Sequence, residues 1–322
     1  MAPFVLSIIV LFSLSSIAYV YTTRGTVRYN SFTEYLQKGW PIFTPFNCLL
    51  YIFTYPRARH SVMDASEFPE LKALQENWHI IAEEGVALME QGGFDSISDP
   101  ESASYYDVGF RTFYKYGWTK FYLSWYGYTH ESAKQTCPKT VEILNKIPTV
   151  NGAMFTILPA GGQLTRHLDP FASSLRYHLG LQTPNDDACY ISVDGQVYSW
   201  RDGEVLLFDE TYLHLAKNDS DKSRLILMCD IERPMSLLGR IINWPYKKII
   251  TAFLVPNTEL DKRGFANRTF QTLVPLFEKS KNLKETNLLL YKLLKYTVNT
   301  SLLLALFGVV WLIVKFAIFV VS

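Results

Sequence analysis

His167, Leu168 and Asp169 are followed by His214, 45 residues after Asp169, and ten residues later by Arg224. Two imidazoles and a carboxylate are the donor set of a facial metal triad, and an arginine downstream is a ready anchor for the far carboxylate of a keto acid. Three ligands on one side leave positions for a bidentate keto acid and dioxygen, which suits Fe(II) better than closed tetrahedral zinc. In a strand, residues two apart project on the same face, so His167 and Asp169 can share a metal while Leu168 points away. His214 can join them only through tertiary structure. H-x-D by itself is common, and a lone strand histidine is more often a satisfied core or surface residue.

The surroundings add weight. Arg176 and His178 alternate on one face of SLRYHLGLQ, among Leu175, Tyr177 and Leu179. A charge inside such an apolar run is costly unless paired, and a small dicarboxylate would supply the partner. Arg224 opens RLILMCDIE, where a bidentate contact to the distal carboxylate of 2-oxoglutarate is one reading and a turn-edge salt bridge to Asp219 or Asp221 the other. Thr156 either adds a hydroxyl to that carboxylate or is an ordinary strand residue. His60, His79 and His130 lack such a context and are read as structural or surface residues. A serine hydrolase is disfavoured because no G-x-S-x-G elbow is present. Four scattered cysteines, Cys48, Cys137, Cys189 and Cys229, form no C-x-x-C pair and are read as buried thiols.

These residues need a scaffold. Between 150 and 232, short β-type runs (GAMFTIL, SLRYHLGLQ, ACYISV, QVYSW, EVLLF, RLILMCDIE) alternate with turn residues. Asp194-Gly195 reads as a two-residue hairpin turn and Asp202-Gly203 as the next turn. Close spacing without intervening helices excludes a Rossmann sheet and favours an antiparallel double-sheet jelly roll. Ahead of it, the spacing of Leu71, Leu74, Trp78, Ile81 and Leu88 predicts an amphipathic helix over 68–90, ended by Gly92-Gly93. A short helix is expected over 137–146.

At the ends lie two apolar runs, 3–21 and 301–321, the second broken only by Lys315. Each is long enough to cross about 30 Å of hydrocarbon. The first lacks the basic start and small-residue cleavage site of a signal peptide and is read as a retained anchor. Lysines and arginines flank the inner ends of both runs, which orients the intervening part towards the cytoplasm. Net charge is only +1, but residues 233–300 carry twelve Lys or Arg against four Asp or Glu. Such juxtamembrane basic charge favours anionic headgroups. Residues 40–55 read as an interfacial or core-packing segment, and 237–256 as an interfacial or docking helix broken at Pro245.

The run H-x-D-P-F-A-S-S-L-R-Y-H-L-G-L from His167, W-R-D-G-E from Trp200 and F-D-E-T-Y-L-H from Phe208 resemble the aspartyl/asparaginyl β-hydroxylase family of 2-oxoglutarate oxygenases. With the apolar ends, CPKTVEIL and CDIERP, the pattern is most similar to the membrane branch, the bacterial lipid A 2-hydroxylases. The resemblance implies a double-stranded β-helix with flanking helices, anchored by a transmembrane helix at each terminus. Its expected parts are a first anchor over 1–23, a juxtamembrane segment over 24–59, the dioxygenase domain over 60–235, basic helices over 236–296 and a second anchor over 297–322. It implies Fe(II), 2-oxoglutarate and O2 as reactants, with His167 and His214 as iron ligands. Arg224 and Thr156 would hold the distal carboxylate, with Arg176 and His178 at the iron-proximal end. Peptidyl members have Gly at the position of Asp169, which here either completes the triad or orients a neighbouring group. The expected activity is hydroxylation of carbon 2 of a secondary acyl chain of lipid A at the cytoplasmic face of the inner membrane, with no nucleic-acid partner. An ornithine lipid, a peptide substrate or a non-catalytic scaffold are the alternatives.

Overall fold

A computed structural model describes residues 2–95, 102, 104, 105, 107, 117–298, 300, 301 and 308. Residues 11–267 form one compact unit, and residues 1–10 with 268–322 form another. Of the second expected anchor, 297–322, only residues 297, 298, 300, 301 and 308 are described; the rest of that expectation lies outside the described residues.

The strands are β1 Val62–Met63, β2 Thr119–Trp125, β3 Tyr128–Thr129, β4 Val150–Leu158, β5 Gln163–His167, β6 Ser174–Gln182, β7 Cys189–Val193, β8 Gln196–Ser199, β9 Val205–Phe208, β10 His214–Asn218 and β11 Arg224–Glu232. They make a seven-stranded sheet in the order β1-β9-β6-β11-β4-β2-β3 and a four-stranded sheet in the order β5-β10-β7-β8. From β4 to β11 the chain alternates between the sheets except at the β7–β8 hairpin, which stays in the small one, and every pairing is antiparallel. This is the jelly-roll topology expected from the strand spacing. Asp194 and Gly195, with φ of 51° and 87°, form the β7–β8 turn in the left-handed conformation that a two-residue hairpin requires.

Helices are α1 Ala2–Thr22, α2 Phe32–Lys38, α3 Thr44–Phe53, α4 Lys72–Glu76, α5 Trp78–Glu90, α6 Glu131–Thr136, α7 Pro138–Asn145, α8 Leu237–Ile250 and α9 Phe265–Thr286. Alternation sorts the large sheet's side chains into two cores. Outward residues such as Phe155, Tyr177, Leu179, Leu225 and Leu227 pack under α5 and α7 through Ile81, Leu88, Val141 and Leu144. Inward residues Met154, Leu206, Phe208, Ile226 and Met228 meet Ile191, Val193 and Ala216 of the small sheet. The functional side chains lie among this second set.

Two helix expectations need correction. The run 68–90 is interrupted at Asn77, whose side chain donates to Ala73 O at 2.8 Å, so it forms a short 3₁₀ turn, α4 and α5 instead of one helix. In contrast, α8 continues through Pro245. Proline removes one N–H there, but Pro245 and Ile241, four residues back, are both exposed, so water can satisfy the freed carbonyl. Among the described residues, Phe4–Thr22 is the one helix long and apolar enough to cross a membrane. All four cysteines are buried and unpaired, as read from their spacing.

Gly180 lies in β6 where the chain crosses beneath the β8–β9 connection, and any Cβ would collide with Arg201 O. Gly180→Ala is therefore expected to destabilise the protein by about 1–3 kcal/mol, the usual cost of overpacking. A shift of the urea midpoint at constant slope would measure it.

Candidate metal centre

His167 closes β5 and His214 opens β10, and antiparallel pairing sets them directly opposite each other. Their ring centroids are 4.3 Å apart. Asp169 lies just past β5, not on it, since the strand ends at His167. The short loop still turns its carboxylate back, placing Oδ1 3.8 Å from His167 Nε2. One ligand atom from each of His167, Asp169 and His214 falls within 4.8 Å of the others.

Hydrogen bonds fix the imidazole tautomers. His167 Nδ1 lies 2.7 Å from Thr165 O and His214 Nδ1 2.9 Å from Tyr212 O. A carbonyl only accepts, so each Nδ1 carries a proton, and in the neutral ring the lone pair is left on Nε2. That is the form in which imidazole binds a metal. Burial, reinforced by the neighbouring His167, pushes His214 down to about 4. A free imidazole, with a pKa of about 6.5, is largely protonated at about pH 5.5. Long-range ¹H–¹⁵N spectra of the metal-free protein at that pH are expected to show His214 neutral, with its proton on Nδ1.

Arg176 is satisfied by the protein itself. Its Nη2 lies 3.1 Å from Asp169 Oδ2 and also pairs with Glu210, while Nη1 lies 2.7 Å from Asp230 Oδ1. The small dicarboxylate expected as its partner is thus replaced by three side chains. One guanidinium cannot balance three buried anions. Burial raises Glu210 and Asp230, with added repulsion from Asp169. For Asp169, burial acts upward, but Arg176 and the two imidazoles outweigh it and hold the carboxyl below its usual range. Asp169 therefore offers one oxygen towards the histidines and the other to Arg176. Asp169→Asn is expected to weaken Fe(II) binding at least about 10-fold. Anaerobic titration of the metal-free protein measures this, and unchanged affinity would reduce Asp169 to a partner of Arg176.

Arg224 is the opposite case. It is 2% exposed, and among the described residues no carboxylate lies within ion-pair distance of it. Neither Asp219 nor Asp221 forms the turn-edge bridge that the spacing allowed; Asp219 pairs instead with Lys217 at 2.7 Å. Arg224 Nη2 donates to Thr156 Oγ1 at 3.4 Å, its guanidinium sits 4.3 Å from the centre of the Trp200 ring, and Nε has no partner among the described residues. Burial lowers its pKa to about 10.

His178 lies two residues from Arg176 on the same face. Trp200 Nε1 donates to His178 Nδ1 at 3.4 Å, which leaves the ring proton on Nε2, buried and without an acceptor among the described residues. Burial and the cations Arg224 and Arg176 keep this imidazole neutral. Phe208 meets both His178 and His214 edge to face, at 5.1 and 5.7 Å. All seven residues singled out in the sequence thus line one interior. What the sequence did not reveal is the set Trp200, Glu210 and Asp230. Asp230 had a readable signal, a carboxylate that directly follows the apolar run Leu225–Cys229 and precedes Ile231. Its partner followed only from the register that sets Asp230 against Arg176.

The family model described as aspartyl/asparaginyl beta-hydroxylase matches residues 75–234. An ornithine lipid ester-linked acyl 2-hydroxylase from Rhizobium tropici is 39% identical over 128 residues, covering 39% of this chain and 46% of that protein. The human aspartyl/asparaginyl beta-hydroxylase is 30% identical over 169 residues, covering 51% of this chain and 21% of that protein. The chain therefore spans less than half the length of either relative. Among solved structures, a Pseudomonas putida prolyl-4-hydroxylase aligns at 15% identity with a TM-score of 0.31, covering 49% of this chain and 87% of that one. Residues 75–234, just under half of this chain, are thus similar to the aspartyl/asparaginyl β-hydroxylase family.

Proposed function

We propose that the chain is an Fe(II)- and 2-oxoglutarate-dependent oxygenase that hydroxylates carbon 2 of an acyl chain of a membrane lipid. Within that class the proposed substrate is a secondary acyl chain of lipid A, at the cytoplasmic face of the inner membrane. The observation that carries the reading is Arg224, a buried guanidinium with no carboxylate within ion-pair distance among the described residues, on the same interior as three convergent metal-ligand atoms.

The residues suit the reactants. His167 and His214 would hold iron through Nε2, with Asp169 completing the set. Arg224 and Thr156 would take the distal carboxylate of 2-oxoglutarate, and the Nε2–H of His178 is a donor for its other end. When bound, the metal supplies the redox chemistry by which O2 and 2-oxoglutarate give succinate, CO2 and one oxygen atom inserted into a C–H bond. The chain contributes positioning and dryness. Arg176 fixes Asp169, Trp200 fixes both Arg224 and His178, and Phe208 keeps water from the space between His178 and His214. Thr22 ends the apolar helix α1, and the basic residues that follow support a catalytic unit on the cytoplasmic side.

Basic residues within 233–300 favour a phosphorylated headgroup and hence lipid A. The Rhizobium relative favours the second reading, an ornithine lipid. Mass spectrometry of total lipids from cells expressing the chain, beside cells expressing His214→Ala, separates them. Lipid A one oxygen atom heavier, only with the intact histidine, is the expected result. The same increment confined to an ornithine lipid keeps the chemistry and changes the substrate. No increment in any lipid overturns the reading.

A further inference from the structure

Although α3 and α8 are almost two hundred residues apart in sequence, they form one device. Tyr55 N donates to Pro234 O and Ser236 N to Phe53 O, each at 2.9 Å, so the end of α3 is stitched to the start of α8. Gly239 allows the close crossing, since a Cβ there would lie 2.7 Å from Phe53 Cβ. Leu50, Phe46 and Tyr51 of α3, Ile242 of α8 and Ala172 share one apolar cluster.

The inner sides of both helices grip the loop that carries Asp169. Asn47 of α3 donates to Pro170 O and accepts from Ala172 N, both at 2.9 Å, and Asn243 of α8 donates to Ser173 O at 3.1 Å. Phe171, in the same loop, packs between Phe43 and Tyr246, at 4.4 and 4.8 Å.

Their outer sides are bare and apolar. On α8, Leu237, Leu238, Ile241, Trp244 and Ile249 fall on one stripe by helical spacing and are 52–66% exposed. Ile52 of α3 is 58% exposed, with Ile42 and Trp40 just before that helix also open. Basic side chains accompany the stripe: Arg240 and Lys248 are exposed on α8, and Lys248 lies 5.8 Å from the Trp244 ring. On its other flank α3 lies against α1, where Cys48 Sγ approaches Ser16 O at 4.0 Å.

We propose that the outer face of α3 and α8 docks onto the surface of an anionic lipid bilayer, beside the point where α1 enters it. The occupant follows from the pattern: an aromatic and aliphatic stripe with an arginine at its edge and a lysine at its C-terminal end, continuous with an apolar helix of spanning length. This inference rests on the lipid reading above and deepens it. A docked amphipathic helix sits at the boundary between headgroup and acyl chain. Carbon 2 of an ester-linked chain lies at that depth. Because the same two helices grip residues 170–173, docking sets the height of the metal centre above the bilayer, and with it which carbon is reached.

The test uses the full chain reconstituted in vesicles of phosphatidylcholine and phosphatidylglycerol. Emission of the protein minus that of Trp244→Phe isolates Trp244. That difference is expected to fall at least about twofold with lipids brominated near the headgroup and to resist aqueous iodide. Quenching by iodide and not by bromolipid would overturn the proposal, since the face would then be in water. Quenching by neither would also overturn it, because a second copy or another part of the chain would cover the face. Ile241→Trp in the Trp244→Phe background reads the same face one turn away and guards against a misfolded variant. None of these readouts needs turnover, so a docked protein that hydroxylates no lipid would sink the function and leave the docking face standing.

Discussion

His214→Ala is expected to abolish Fe(II) binding and hydroxylation together while leaving the metal-free fold in place. His214 is 8% exposed, its Nε2 lone pair faces His167 and Asp169, and no second imidazole is available to replace it. Outer partners of a metal site are worth about 10–100-fold in affinity or activity, so loss of a ligand should exceed that. Structurally the change is mild. One hydrogen bond, to Tyr212 O, disappears, a net loss of about 0.5–1.5 kcal/mol. Anaerobic Fe(II) titration, succinate release and a thermal melt of the metal-free protein measure the three quantities. Retained iron affinity would remove His214 from the ligand set, and a collapsed melt would make the activity loss uninformative for that variant. His167→Ala is the check in that event, since His167 is more exposed and contributes less to the core.

The sequence disclosed different parts of this molecule to different degrees. The jelly roll was readable because its long strands, β4, β6 and β11, are rich in aliphatic and aromatic residues, and turn residues such as Asp194-Gly195, between β7 and β8, separate the shorter runs. By contrast β5 and β10, which carry the two histidines, are short and half polar, and their spacing gave no strand run. Their identity as strands comes from pairing with each other and with β7. Asp169 reaches the histidines from a loop, which alternation along a strand does not describe. The same limit explains Arg176. Its cost inside an apolar run was visible, but the three carboxylates that offset it come from a loop, from the β9–β10 connection and from β11. Arg24 taught the converse lesson. It reads as a flanking charge of a membrane span, yet it is buried, 2.9 Å from Asp209, which Arg233 also contacts at 2.9 Å. A positive charge beside an apolar helix can therefore serve the fold as well as the headgroups.

Arg224→Met is expected to raise the dissociation constant for 2-oxoglutarate by about 30- to 5000-fold and, at the same time, to stabilise the protein without its cosubstrate. The first effect follows from removing one partner of a buried charge pair, which costs about 2–5 kcal/mol of binding. The second follows from what Arg224 lacks. Burial has moved its pKa from 12.5 to about 10, which at about 1.4 kcal/mol per unit is a destabilisation of order 3 kcal/mol at any pH below about 10. The Trp200 face returns part of that, by roughly 1–2 kcal/mol for a desolvated cation–π contact. A methionine of similar length removes the charge and keeps the volume, a change that is often stabilising at buried ionic positions. Melting of wild type and variant with and without 2-oxoglutarate separates the two effects. Wild type should melt lower when empty and gain more on binding. Arg224→Lys should recover little affinity, because an ammonium cannot present the paired donors of a guanidinium. A variant that lost stability and kept its affinity for 2-oxoglutarate would show that Arg224 serves the fold, and the carboxylate site would then have to be sought elsewhere in the interior.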